Sequence, residues 1–329
     1  MKKFIVTTTI YPKGEALEKF DSLKDWNLIV IGDKKTPDIK LDNGQFIPAE
    51  AQSSLGYKSF DHIPWSVIQR RNFGYLEAVK QGADIIASVD DDNIPFDGWG
   101  DDVVVGKNLT RKTISDDLVC DALFEHSNVT SSKLWHRGFP VQLLEQRSNR
   151  KESTSTATVE VQAGLWNGDP DVDAVCRLAG GPFDLKFSNT EFFVSNQTFS
   201  PFNTQNTFFS RRLAVPMCLP YNIGRMDDIW ASYMTQRIMR ELDTNVLYTG
   251  PTVYQSRNDH DLSKDLEKEV IGYRHTLEFL RRLNEIDLNS GTILEMYAAV
   301  VEGVSTLDFI EPEMTNFQRA WLEDMAKIL

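Results

Sequence analysis

Three consecutive carboxylates, Asp90, Asp91 and Asp92, follow the apolar run Ile85-Ile86-Ala87-Ser88-Val89. Packed carboxylates repel one another, and a shared cation relieves the repulsion. Hard oxygen donors suit Mg²⁺ or Mn²⁺, ions that usually bring substrate phosphates with them. The run also falls where open α/β sheets bind ligands, beyond the carboxyl end of a strand. A solvated acidic turn is the bland alternative.

Other segments carry chemistry of the same kind. Arg70-Arg71-Asn72-Phe73-Gly74 lies on the predicted helix that leads into the aspartate strand. Adjacent arginines can hold a diphosphate by forked hydrogen bonds, or they can form a solvated helix face. Lys34-Lys35-Thr36-Pro37 follows a short apolar strand and could touch a base or ribose. Arg137-Gly138-Phe139-Pro140 and Gly164-Leu165-Trp166-Asn167-Gly168-Asp169-Pro170-Asp171-Val172-Asp173-Ala174 are more distinctive. The acids of the second stretch could grip sugar hydroxyls, serve as a base, or cap a helix. Gly224-Arg225-Met226-Asp227-Asp228-Ile229-Trp230 opens a strong helical pattern. Asp227 and Asp228 fit either a helix cap or a base facing an acceptor hydroxyl. Tyr254-Gln255-Ser256-Arg257-Asn258-Asp259-His260 follows the last predicted strand, and His260 there could complete a metal shell or contact a phosphate. The chain has no Gly-x-Ser-x-Gly elbow, Walker loop or Gly-x-Gly-x-x-Gly fingerprint.

Composition narrows the classes. The 329 residues carry a formal charge of −13, which opposes general binding to nucleic acid or anionic membranes. It also repels a nucleotide diphosphate, so a site for one needs a metal or gathered arginines. No apolar run approaches the ~20 residues that span a bilayer. Met1-Lys2-Lys3-Phe4-Ile5-Val6 reads as the start of a first strand rather than a secretion signal. Cys120, Cys176 and Cys218 are odd in number and widely spaced, which points to a reducing, cytoplasmic setting and away from zinc. Self-association is left open.

The elements that must position these residues read as α/β. Strands are expected at Phe4–Ile10, Leu28–Gly32, Ile85–Val89, Val159–Gly164, Asn206–Ser210 and Val246–Tyr248. Helices are expected at Glu15–Leu23, Trp65–Ala83, Asp227–Leu242 and Lys264–Leu283, with a helical end over Thr292–Leu329. Residues 38 to 64 read as a loop-rich insertion and Ser148–Thr158 as a mobile polar loop. No internal repeat is visible.

In their order and spacing, these motifs resemble those of the plant reversibly glycosylated polypeptides (UDP-arabinopyranose mutases) and the related catalytic-like domain of the plant STELLO proteins. Pro216-Met217-Cys218 and Gly250-Pro251-Thr252-Val253-Tyr254 extend the match, which spans roughly residues 4 to 270. The Gly164–Ala174 stretch is closest to the STELLO branch. The resemblance implies a GT-A fold: a Rossmann-like mixed sheet in residues 1 to 262, with a C-terminal helical extension, 263 to 329, packed on it. It implies a metal-dependent glycosyltransferase with a nucleotide-sugar donor, a UDP-sugar in first place, and a glycan or small-molecule acceptor. A UDP-sugar mutase and a non-catalytic nucleotide-sugar scaffold are the alternatives. Under this reading Asp90 and Asp92 hold Mn²⁺ or Mg²⁺, and Asp90 or Asp91 contacts ribose or sugar. Arg70, Arg71, Lys35 and Arg137 serve the donor, while Asp171, Asp173, Asp227 and Asp228 line the sugar and acceptor side. Two departures stand out. Cys176-Arg177-Leu178 replaces the arginine-rich stretch where the mutases attach sugar. Gln255-Ser256 replaces a His-Ser pair, leaving Gln255 or His260 to complete the metal site.

Overall fold

In the computed structural model, residues 1–126, 134–258, 261–288 and 291–329 are described. The chain opens with β1 (Lys3–Thr8), α1 (Glu15–Asp21), β2 (Asn27–Ile31), β3 (Gln45–Ile47) and α2 (Ala49–Gln52). Next come α3 (Arg71–Lys80), β4 (Ile85–Val89), β5 (Asn93–Pro95), β6 (Asn108–Ser115) and α4 (Ala122–Glu125). The middle holds β7 (Lys151–Gly168), α5 (Ala174–Gly180), β8 (Phe192–Val194) and β9 (Asn206–Ser210). The chain ends with α6 (Asp227–Glu241), β10 (Thr244–Gln255), α7 (Leu262–Glu285), α8 (Ile293–Val304) and α9 (Pro312–Ile328).

The strands form one sheet in the order β3-β2-β1-β4-β9-β7-β6-β8-β10-β5. Its first four strands are parallel, as in a Rossmann-like half. The core residues of β1 and all of β4 are buried, as continuous apolar strands covered on both faces must be. β9 then runs antiparallel to β4 and to β7. β7 pairs with β6 through its first half and with β10 through its second, while β8 bridges β6 and β10. A mixed α/β sheet with a Rossmann-like half and C-terminal helices is the architecture expected of the GT-A class.

Four expectations need correction. Ser148–Thr158 is no mobile loop: from Lys151 on it is β7, paired residue by residue with β6. The start of β7 is polar because its side chains meet solvent on both faces; Thr110 and Thr156 share a cross-strand hydrogen bond of 2.7 Å. The stretch from Trp65 to Ala83 is helical only from a 3₁₀ turn at Ile68–Arg70 through Lys80. Ser66 has φ +65°, a left-handed conformation that excludes it from a helix. The insertion before it contributes the edge strand β3 and the short helix α2. The last strand covers twelve residues, because β10 continues past Gly250-Pro251 to reach β5.

The C-terminal helices share one apolar core with the sheet. Trp230 of α6 stacks on Phe279 of α7 at 4.3 Å between ring centroids. The α8 start is a capping box, Thr292 with Glu295. From α9, Trp321 Nε1 donates to the Val215 carbonyl, and Asp324 accepts from the Lys58 and Ser59 amides at 2.9 and 2.8 Å. The last helix therefore ties down the segment that leads to Trp65 and Ser66. Among the described residues no helix is long and apolar enough to cross a membrane.

Candidate functional site

The parallel strands β1, β2 and β4 end together, and two adjoining cavities open there. One, of about 280 Å³, lies over the β1 and β2 ends, between Thr9, Asp33, Arg71 and the aspartate run. The other, of about 340 Å³, extends toward α6 and contains Arg137, Asp171, Asp227, Asp228 and Gln255. Asp90, Asp92, Ser66, Val67 and Ile68 line both. The acidic run thus stands at the junction of the two cavities, in a cleft.

Each aspartate of the run has its own environment. Asp90 is held from below by Arg71, whose guanidinium also donates to the Thr204 carbonyl at 3.0 Å and to the Thr204 hydroxyl at 3.1 Å. Asp91 accepts from the Thr9 hydroxyl, and burial pushes its pKa up to about 6. Asp92 is raised to about 7 by burial and by the charges of Asp90 and Asp91. Its Oδ2 accepts from the Asn258 amide at 3.3 Å, while its buried Oδ1 has no hydrogen-bond partner among the described residues. Gln255 Oε1 is likewise buried and without a partner there, and it lines the same cavity as Asp92. Two orphaned hard oxygens in one cleft fit a Mg²⁺ or Mn²⁺ ion that takes its remaining positions from phosphate and water. Among the described residues no three His, Cys, Asp or Glu side chains gather as a metal cage. His260 lies outside the described residues.

The second cavity is organised by Arg137. Its Nε and Nη2 fork onto Asp171 at 2.8 and 2.9 Å, and Nη2 also reaches Asp228 at 3.0 Å. Burial disfavours the charge on Asp171, yet Arg137 holds its carboxyl well below the usual range. Asp171 is therefore a fixed anion with both oxygens engaged, and Asn203 adds a third donor at 2.9 Å. Asp228 is tied to Arg137 and to the Thr204 amide. Asp227 differs: it accepts from Gln69 Nε2 and from the Asp228 amide, both at 2.9 Å, and forms no ion pair with an arginine among the described residues. Burial and the Asp228 charge raise it to about 7. A carboxyl poised there can take a proton near neutral pH.

Three of the expected site residues play other parts. Asp173 caps α5, accepting from the Cys176 amide at 2.8 Å and from the Trp135 indole, and it lines neither cavity. Asp-Val-Asp places alternate side chains differently, and the second falls at the helix start. Lys35 is exposed on the loop after β2, outside both cavities. Arg70 borders the first cavity, but its guanidinium donates to the Ile63 carbonyl at 2.7 Å and the Pro64 carbonyl at 3.1 Å. It also lies 3.6 Å from the Trp65 ring centroid, so it holds the cavity wall in shape.

Some lining residues escaped the sequence reading. Ser66, in its left-handed conformation, donates its amide to Asp33 at 2.6 Å. Arg225 pairs with Glu269 at 2.9 Å and Asp265 at 3.3 Å. Arg257, two residues beyond Gln255, borders the second cavity. The only sequence signal for Arg257 was that proximity.

The chain is 25% identical to "Probable glycosyltransferase STELLO2" of Arabidopsis thaliana, over 99% of its own length and 45% of that protein. STELLO1 from the same plant matches equally, at 25% over 99% of this chain and 44% of that one. The chain thus spans less than half the length of these relatives. UDP-arabinopyranose mutase 2 of Arabidopsis thaliana is 26% identical over 57% of this chain and 52% of its own. Among solved structures, glucosyl-3-phosphoglycerate synthase from Mycobacterium tuberculosis aligns with a TM-score of 0.39 at 12% identity, covering 93% of this chain and 81% of that one. No family model matches. The similarity read from the motifs thus extends along nearly the whole chain for the STELLO proteins and over 57% of it for UDP-arabinopyranose mutase 2.

Proposed function

We propose that this chain is a metal-dependent glycosyltransferase domain of the GT-A type that uses a UDP-sugar donor. One observation carries the proposal: Asp92 and Gln255 line the same cavity, and each has a buried side-chain oxygen, Oδ1 and Oε1, without a hydrogen-bond partner among the described residues. The cavity over β1 and β2 suits a nucleoside, at the strand ends where α/β sheets bind nucleotides. The cavity toward α6 suits the sugar and the acceptor hydroxyl. The names of the STELLO and mutase relatives support the transferase class and the uridine nucleotide.

Asp92 and Gln255 would hold the Mn²⁺ or Mg²⁺ ion. When bound, such an ion neutralises charge developing on the leaving diphosphate. The protein's own residues do the rest. Arg71 pairs with Asp90 and fixes its orientation beneath the diphosphate position. Arg137, Asp171 and Asp228 form a rigid charged floor that fixes the sugar side. Asp227 accepts the proton of the acceptor hydroxyl. Lys268 and Arg257 line the cavity toward α6 too, adding positive charge within a chain of net charge −13.

The test is a panel of UDP-sugars incubated with the protein and Mn²⁺, followed by product analysis. Sugar transfer or slow donor hydrolysis that stops with EDTA is expected. Ring isomerisation of the donor would instead establish a mutase, and binding without turnover a scaffold.

A further inference from the structure

A further cavity of about 490 Å³ adjoins the cleft on the α5 side. Asp169, Arg177, Leu178, Pro182, Arg257 and Leu262 bound it, and Arg257 is shared with the donor cleft. Among the described residues the charges there do not balance. Arg177 Nη1 lies 2.5 Å from Asp169 Oδ1, and Arg257 Nε lies 3.9 Å from Oδ2 of the same carboxylate. One carboxylate thus serves two guanidiniums. Among the described residues the other acids nearby have other partners: Asp171 has Arg137, Asp265 and Glu269 have Arg225, and Asp92 accepts from the Asn258 amide.

The donor count shows the same surplus. The Arg177 and Arg257 side chains are only 8% and 9% exposed. Arg177 Nε and Arg257 Nε and Nη1 are buried without a hydrogen-bond partner among the described residues. Unmade hydrogen bonds of buried charged donors are costly, and an oxyanion would satisfy them in forked geometry. Burial and the neighbouring Arg177 charge also weaken the hold of Arg257 on its proton, as expected where positive charge is in excess.

We propose that this cavity is an oxyanion subsite, in which Arg177 and Arg257 bind the phosphate or carboxylate group of a small acceptor molecule. Calling the ligand an acceptor rests on the transferase reading above. Arg177 lines neither of the cavities that flank the aspartate run, so the subsite is separate from the position of the donor diphosphate. Leu178, Pro182 and Leu262 provide an apolar wall for the carbon skeleton that carries the anion.

The test is calorimetry on the full chain with inorganic phosphate and with acetate, alone and with saturating UDP and Mn²⁺. Phosphate should bind with or without UDP, and Arg177→Gln should weaken it about tenfold, the loss expected for a charge-assisted contact. The same variant should keep UDP affinity within about twofold, since Arg177 lines neither cavity beside the aspartate run. Saturable acetate binding that depends on Arg177 assigns a carboxylate as the natural group; its absence assigns a phosphate. If Arg177→Gln fails to fold, Leu178→Glu sets a carboxylate at the cavity from a side chain that is 56% exposed, and should weaken phosphate similarly. Equal phosphate affinity in wild type and variants overturns the proposal. So does full competition between phosphate and UDP, and so does no saturable binding of either anion. If phosphate binds through Arg177 while UDP with Mn²⁺ does not bind at all, the subsite stands and the transferase reading falls.

Discussion

Arg137 and Asp171 meet as a two-pronged fork, Nε to Oδ1 at 2.8 Å and Nη2 to Oδ2 at 2.9 Å, both almost wholly buried. They lie 34 residues apart in sequence and join the segment before β7 to the segment after it. Removing one partner leaves the other charge buried and unpaired. Asp171→Ala should therefore destabilise the fold by about 3–5 kcal/mol, measured by urea unfolding. The paired replacement Arg137→Met with Asp171→Leu should recover much of that loss. A single-variant loss under about 1 kcal/mol would show that solvent reaches the pair.

The orphaned acceptors make a sharper test. Asp92→Ala and Gln255→Leu should each reduce Mn²⁺-dependent UDP affinity by about 2–3 kcal/mol, roughly thirty- to a hundred-and-fiftyfold. UDP binding in EDTA should change little in either variant. Titration calorimetry gives both numbers, and unchanged affinity with Mn²⁺ would remove these residues from the ion's shell.

Asp227 sets a pH dependence with a definite sign. Burial and Asp228 raise it to about 7, so it is protonated below that pH and a base above it. Turnover should rise with pH through about 7, and Asp227→Asn should abolish this limb with a loss of about 10²–10⁴-fold. Stability should move the other way. The folded state keeps a proton that the unfolded chain, with an ordinary carboxyl, gives up. The Asp227 contribution is therefore most favourable below the unfolded value. It declines as pH rises toward about 7 and is then lost. Thermal melts of wild type and Asp227→Asn should diverge across that window, the variant gaining at the alkaline end.

Asp324 couples the last helix to the site wall. It is buried and accepts from the Lys58 and Ser59 amides at the head of the segment leading to Ser66. Asp324→Ala leaves two amides without their charged acceptor and should lower stability by about 2–4 kcal/mol. UDP affinity should fall with it, because Ser66 borders both cavities. Loss of stability with fully retained affinity at low temperature would uncouple α9 from the cleft.

Local pattern made some of this legible. The aspartate run ends a strand whose five residues are all buried, and such strands read as unbroken apolar runs. The helices α6 and α7 announced themselves by apolar spacing, and Asp227-Asp228 by their place at a helix start. The polar hairpin of β6 and β7 did not. A Ser- and Thr-rich strand with solvent on both faces has no apolar alternation to read, and its partner lies tens of residues away. Ser66 was hidden for another reason: its left-handed backbone follows from the contact with Asp33 across the loop.

The amino-acid sequence alone determined the α/β class, the acidic run at a strand end and the acids at the start of α6, since each depends on neighbours a few residues apart. Only the tertiary structure decided which acid does what. Among the described residues Arg137 pairs with Asp171 and Asp228 but not with Asp227, whose carboxyl is raised to about 7 by burial and the Asp228 charge. Asp173 went to a helix cap, and Asp92 met Gln255 from the far end of the chain. Charge, burial and proton affinity are set by whatever packs within a few ångströms, and in a folded sheet those neighbours come from distant sequence.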